Sequence, residues 1–289
     1  MKAETRAALE AALGARVERS KSVTGGDINQ ASKIELSDGR SLFVKTNDHA
    51  DPAMFPSEAR GLTWLAEAAA LRVPKTIAVS SGRAGEPAFL VLEYLAEGRQ
   101  RPSFDEELGR GLAALHRFGA PSFGLDHENF IGRLPQSNVS CDSWAEFYRL
   151  RRLEPQLRRA REAGLLGAEQ SRRFDRLFAR LAELVGPPEP PARLHGDLWG
   201  GNLHADDRGA PCLIDPAVYG GHREVDLAMM RLFGGFSARV FAAYQEAFAL
   251  SAGHADRTPL YQLYPLLVHV NLFGRGYVGS VEAALARYV

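Results

Sequence analysis

Leu194-His195-Gly196-Asp197-Leu198-Trp199-Gly200-Gly201-Asn202, followed by Leu213-Ile214-Asp215-Pro216, decides how this chain is read. Asp197 and Asn202 stand in the D-x-x-x-x-N spacing of a kinase catalytic loop, and Asp215 closes a short apolar strand where a metal-binding Asp would stand. The chemistry explains the residue types: one carboxylate must orient an attacking hydroxyl, and two oxygen ligands must hold Mg2+ against the phosphates of ATP. Asp197 fits the first role; Asn202 and Asp215 fit the second. Each fragment alone could be an Asp-capped loop or an ordinary strand end. Together with the apolar approaches Arg193-Leu194 and Cys212-Leu213-Ile214 and the turn Asp206-Asp207-Arg208-Gly209, they describe one catalytic hairpin. The pattern points to a phosphotransferase.

The run HGDLWGGN and the run LIDPAVYGGHREVDLAMMRLFGGF, Leu213 to Phe236, resemble the fructosamine kinase (ketosamine 3-kinase) family. That family is a branch of the aminoglycoside-phosphotransferase-like kinases, which share only the HGD, N and D pattern. Trp199-Gly200-Gly201 and the GHRE-x-D-L-A-M stretch narrow the resemblance. Residues 121 to 138, the segment from Asp142-Ser143-Trp144 to Leu157, and Asn271-Leu272-Phe273-Gly274 also look like this family. The resemblance implies a protein-kinase-like, two-lobed α+β fold with a small antiparallel sheet and a mainly helical second lobe. It further implies ATP-dependent phosphorylation of the 3-hydroxyl of a ketosamine (a fructosamine, ribulosamine or erythrulosamine adduct), which destabilises the adduct and promotes deglycation.

Upstream, Val17 to Val23 and Ile34 to Leu36 read as strands joined through Gly25 and Gly26. These glycines resemble a phosphate loop, in which backbone N–H groups approach an anion, although a plain hairpin turn has the same composition. In the strand Ser41 to Lys45, alternation puts Lys45 opposite Leu42 and Val44. A strand-ending lysine is often just solvated, but Glu58, early in a helix expected over 57 to 70, could pair with it as kinases require. Glu58 would equally suit a first-turn acid complementing the helix dipole. Strands at Ile77 to Ser80 and Ala88 to Leu92 complete the sheet, and Glu93, Tyr94 and Leu95 fall where a kinase hinge would hold adenine. The expected lobes are residues 1–96, binding nucleotide, and 97–289, carrying catalysis and substrate.

Downstream, residues 121–138 are rich enough in Gly, Pro and Asn to read as an irregular loop. Trp144, Phe147, Leu150, Leu153 and Leu157 form a helical stripe of core type. Ten arginines lie between Arg149 and Arg180, but interleaved acids make them solvated helix faces rather than a nucleic-acid surface. Trp199 could pack on a sugar ring or an aliphatic amine, or serve the core. His222 and Glu224, beside the metal position, are candidates for substrate contact, with a helix-capping role open for His222. Asp226 resembles the buried acid that braces the catalytic loop, a structural role.

Composition excludes other classes. Lys+Arg and Asp+Glu both number 35, so no net field recruits nucleic acid or an anionic membrane. No stretch reaches the roughly 18 apolar residues of a membrane span, and the first residues lack an apolar signal core, so the chain is expected in the cytoplasm. Two cysteines, Cys141 and Cys212, supply neither a disulfide framework nor zinc spacing. The expected partner is a small ketosamine or a glycated protein lysine; oligomeric state is not legible. A kinase for an aminoglycoside or choline-like amine would use the same base and metal residues. A nucleotide-binding regulator is the remaining alternative, disfavoured by the intact Lys45, Asp197, Asn202 and Asp215.

Overall fold

The computed structural model describes residues 1–23 and 29–289. Gly25 and Gly26, expected in a phosphate loop, lie outside the described residues. The first part of the chain builds one antiparallel sheet in the order β1-β2-β3-β5-β4 from β1 (Val17–Val23), β2 (Gln30–Leu36), β3 (Ser41–Thr46), β4 (Thr76–Ser81) and β5 (Ala88–Glu93). Period-two alternation divides its side chains between two helices. Leu42, Val44, Phe89 and Val91 meet Leu9 and Leu13 of α1 (Ala3–Leu13). Phe43, Leu90 and Leu92 meet Phe55, Ala59 and Leu62 of α2 (Met54–Ala66). Lys45, two residues from Phe43, therefore emerges on the α2 side.

Two boundaries differ from the sequence expectation for physical reasons. Strand β2 starts at Gln30, because its polar first half pairs through the backbone with β1 and β3 and needs no apolar side chains. Helix α2 starts at Met54, after a turn in which Asp51 Oδ1 accepts the Ala53 N–H at 2.8 Å. Pro56 is tolerated in that first turn because its missing N–H has no intrahelical partner to lose. The helix stops at Ala66, and Ala69 then takes a left-handed φ of 47°.

The rest of the chain is mainly helical. Helix α3 (Phe104–Phe118) packs on α8 (Ala238–Ala247), while α7 (Glu224–Phe233) and α10 (Val278–Leu285) pack on the long α9 (His254–Phe273). Three short antiparallel pairs sit among them: β6 (Asn129–Ile131) with β7 (Leu134–Gln136), β8 (Ala192–Leu194) with β11 (Tyr219–Gly221), and β9 (Leu203–Ala205) with β10 (Pro211–Leu213). The β6–β7 hairpin corrects the expectation of an irregular loop over residues 121–138. Gly132, at φ +59°, turns the chain within a two-residue connection, so a glycine that counted toward an irregular loop is what lets the hairpin close. Among the described residues no helix is long and apolar enough to cross a membrane.

A second correction concerns the helix after Ser143. Helix α4 (Trp144–Phe147) continues into a π-helical segment, Tyr148–Leu153, before α5 (Glu154–Glu162); α6 (Ala168–Leu184) follows. The wider π turn advances the buried face. Tyr148, Arg152 and Leu153 point inward, while Leu150, which the α-helical stripe would bury, stays partly exposed. Arg152 is thus fully buried, unlike the solvated arginines expected there.

Candidate active site

The cavity between the sheet and the helical part measures about 230 Å³ and brings together residues far apart in sequence. Lys45, Glu58, Asp197, Asn202 and Asp215 line it, together with Phe130, Trp199, His269 and Phe273. Lys45 Nζ bridges two carboxylates, 2.6 Å from Glu58 Oε1 and 2.6 Å from Asp215 Oδ1. Burial works against its charge, but the Asp215 and Glu58 carboxylates outweigh burial and hold the ammonium above its ordinary range.

The loop between β8 and β9 places Asp197 by means of its neighbours. Asp226 Oδ2 accepts the His195 N–H at 2.8 Å and its Oδ1 accepts the Gly196 N–H at 2.9 Å. His116 Nε2 lies 3.2 Å from Asp226 Oδ2. Desolvation opposes the Asp226 charge, yet the hydrogen bond and charge of His116, with His195 and the Gly196 N–H, hold its carboxyl below the usual range. Gly196 has φ +82°, and a Cβ there would stand 2.1 Å from the Ala217 carbonyl oxygen, so no side chain fits. The His195 imidazole is buried and bonds the Ile214 carbonyl at 2.9 Å, tying this loop to the strand that delivers Asp215.

Asp215 itself has φ +55°, a left-handed conformation that Asp tolerates better than most residues. Asn202 Nδ2 donates to the Asp197 carbonyl at 2.8 Å and to the Asp215 carbonyl at 3.3 Å. With its N–H groups directed at these carbonyls, its amide oxygen is the ligand-type atom. Asp197 is pushed up to about 7, first by burial and then by the Asp215 charge. Three carboxylates and one ammonium thus line one cavity, an imbalance that a cation would relieve. Among the described residues no three His, Cys, Asp or Glu side chains form a metal cage. A kinase Mg2+ needs none, since one or two protein oxygens, phosphate oxygens and water complete its shell. Asn202 and Asp215 are a donor set of that kind.

Other expected residues lie elsewhere. Glu93, Tyr94 and Leu95 lead out of β5 and are outside the cavity lining. Glu93 Oε1 instead accepts from Arg72 Nη2 at 2.5 Å, and Arg72 Nη1 donates to Asp206 Oδ2 at 2.6 Å. Gly98 N–H donates to the Ala205 carbonyl and Arg101 N–H to that of Gly209, pinning this segment to the β9–β10 hairpin. His222 and Glu224, expected at the substrate, are buried away from the cavity lining. The reason is ionic: Arg257 Nε and Nη2 donate to Glu224 Oε2 and Oε1 at 2.9 and 2.6 Å. His222 stacks on Tyr261 with ring centroids 5.3 Å apart. Trp199, in contrast, is 42 % exposed at the cavity mouth.

Sequence reasoning missed Asn129, Phe130, His269 and Phe273 in the cavity lining. Phe130 and Asn129 come from the β6–β7 hairpin, whose Gly132 turn was the available signal; His269 and Phe273 come from the end of α9. His269 packs against Phe233 at 4.6 Å and Phe273 at 5.4 Å between ring centroids.

Along nearly its whole length the chain is similar to known proteins. The profile of the fructosamine kinase family, described as "Fructosamine kinase", matches residues 1–289. A "Probable ketoamine kinase" of Enterococcus faecium is 38% identical over 267 residues, covering 92% of this chain and 94% of that protein. The chloroplastic protein-ribulosamine 3-kinase of Arabidopsis thaliana is 38% identical over 276 residues, covering 93% of this chain and 82% of the other. A crystal structure from Thermobifida fusca, provisionally named a fructosamine-3-kinase, superposes with a TM-score of 0.89 at 38% identity, covering 98% of this chain and 97% of that one.

Proposed function

The chain belongs to the fructosamine kinase family, and from that premise we propose that it transfers the γ-phosphoryl group of ATP to the 3-hydroxyl of a ketosamine, promoting deglycation of the amine. It is an ATP-dependent kinase of that family. What supports the acceptor reading is that one cavity is lined both by Asp197, Asn202 and Asp215 and by the aromatic rings of Phe130, Trp199 and Phe273. The first group suits phosphates and a hydroxyl; the second suits the apolar faces of a sugar and a lysine stem.

In this reading residues 1–96 hold the nucleotide and residues 97–289 supply catalysis and acceptor binding. Lys45, fixed by Glu58, clamps the α- and β-phosphates. The Asp197 carboxylate accepts a hydrogen bond from the acceptor hydroxyl and takes its proton as the oxygen bonds to the γ-phosphorus. The bond from that phosphorus to the β,γ-bridging oxygen breaks, and ADP leaves. Mg2+ held by Asn202 and Asp215 would neutralise charge on the β- and γ-phosphates. Its charge would also favour ionised Asp197, countering the effect of burial. The two free thiols and the demand for ATP support a cytoplasmic setting.

The decisive experiment offers Mg-ATP with ribulosyl-, erythrulosyl- or fructosyl-lysine, and with an aminoglycoside and choline alongside, reading products by phosphorus NMR. Phosphate on the ketosamine 3-hydroxyl is expected. Transfer confined to the aminoglycoside or choline, or absent with every acceptor, would overturn the ketosamine reading.

A further inference from the structure

Arg152 is a fully buried guanidinium, and among the described residues no carboxylate lies within ion-pair distance of it. Such a charge is costly unless its donors are satisfied. Its plane lies over Tyr219, with Cζ 3.8 Å from the ring centroid, and 4.6 Å from that of Phe147. Nη1 donates to the Ser137 and Arg151 carbonyls at 2.6 and 3.0 Å and Nη2 donates to Asn138 Oδ1 at 2.8 Å, while among the described residues Nε meets no acceptor.

That last bond has directional consequences, because arginine can only donate. Asn138 must present its oxygen to Arg152, so its Nδ2 points the other way and donates to Asn129 Oδ1 at 2.8 Å. Asn129 then has its Nδ2 free to donate to the Val218 carbonyl at 2.7 Å. Gln136 reinforces the arrangement: its Nε2 donates to Asn129 Oδ1 at 2.9 Å and to the Ala217 carbonyl at 3.1 Å, while Tyr264 Oη donates to its Oε1 at 2.6 Å. Asn129, Gln136 and Asn138 are all buried. The polarity set by one cation thus reaches two successive carbonyls, two and three residues beyond Asp215. Ala217 is a junction, since its own N–H donates to the His195 carbonyl at 2.9 Å.

We propose that Arg152 is a positioning residue, which through Asn138, Asn129 and Gln136 fixes the Ala217–Val218 backbone and so holds Asp215 and the Asp197 loop in register for phosphoryl transfer. This rests on the kinase reading of the cavity. The π-helical segment is what turns Arg152 inward, and the β6–β7 hairpin carries the relay from it to the cavity floor.

The test compares wild type with Arg152→Met and Gln136→Leu, the second keeping Arg152 and the Asn129–Val218 link while removing the branch to Ala217 and the acceptor of Tyr264. Backbone hydrogen exchange of the ligand-free protein is read at residues 217–220 and, as reference, in α1 and α9. The proposal expects exchange at 217–220 to rise about tenfold or more in both variants with the reference helices unchanged. It also expects kcat to fall about 10- to 100-fold, with KM for ATP changed by less than about threefold. If Arg152→Met does not fold, Gln136→Leu decides alone. Exchange that stays at the wild-type level at 217–220, or rises uniformly across the molecule, overturns the proposal. The exchange arm needs no substrate, so it also separates failure of this proposal from failure of the ketosamine reading, which would appear as a wild type inactive on the ketosamines.

Discussion

The cavity wall and the junction behind α7 both bury ion pairs, but they balance charge differently. In the wall, Lys45 pairs with Glu58 and Asp215 while Asp197 shares the same lining, three carboxylates to one ammonium. At the junction two guanidiniums meet two carboxylates in two-pronged pairs: Arg257 with Glu224, and Arg223 with Glu189 at 2.7 and 2.8 Å. The spare guanidinium hydrogens at the junction go to carbonyls of Phe248, Ala249 and Ala252. A set closed in charge and in hydrogen bonds has nothing to offer a ligand, whereas a set left anionic is poised for a cation and phosphates. Charge closure, rather than proximity to a motif, therefore separates Glu224, paired within the scaffold, from Asp215, left in the anionic lining of the cavity.

The sharpest way to break this contrast is Asp197→Asn. Turnover on ketosamines should fall by about 10²- to 10⁴-fold. Stability should move the other way. The folded Asp197 titrates near 7 against 3.8 when unfolded, so the native state binds more protons between those values and loses stability as pH rises through them. Removing that burden should raise the urea unfolding free energy at pH 8 by roughly 1–3 kcal/mol after allowance for solvent screening. Lost stability at pH 8 would show that the wall is not under charge stress.

Arg257→Met probes the closed set. It strands Glu224 in the protein interior, and unfolding by urea should show a loss of about 3–5 kcal/mol. Turnover per folded molecule should be unaltered, and a selective fall in kcat would bring the junction back into the site.

The smallest effect concerns acid. Burial, with help from Arg257 and Arg223 and against the opposing Glu189, lowers His222 to about 4. Its unfolded value is near 6.5, so the unfolded chain takes up the proton first as pH falls. The stability it contributes is present above pH 6.5 and is lost progressively toward pH 4, up to about 3 kcal/mol. Urea midpoints of wild type and His222→Phe at pH 7.5 and 5 should differ in this sense, with the variant less acid-sensitive. Equal pH slopes would count against a neutral buried His222.

These contrasts explain what was legible in the sequence. Asp197, Asn202 and Asp215 stand at short fixed spacings because one hairpin presents them, and hairpins are local. The five strands were legible because alternation is local as well. Helix α9's His269 and Phe273 share the cavity with Trp199 only through packing across some seventy residues of chain, which no periodicity encodes. Arg152 was hidden for a different reason. A 3.6-residue period puts Leu150 near the core and arginines outside, and only the π-helical segment reverses them. Glu224 looked like a substrate contact because it follows Asp215 by nine residues, while its partner Arg257 lies thirty-three positions away.

Gly196 has a practical consequence for mutational scans of the His-Gly-Asp triplet. A substituted Gly196 collides with the Ala217 carbonyl, and a substituted His195 abandons a buried acceptor, so both positions will read as inactive for want of an assembled loop. On the proposed mechanism, only substitutions at Asp197 score the chemistry by itself. An activity screen that ranks the three letters together would credit catalysis with two failures of assembly, and pairing it with an abundance measurement would separate them.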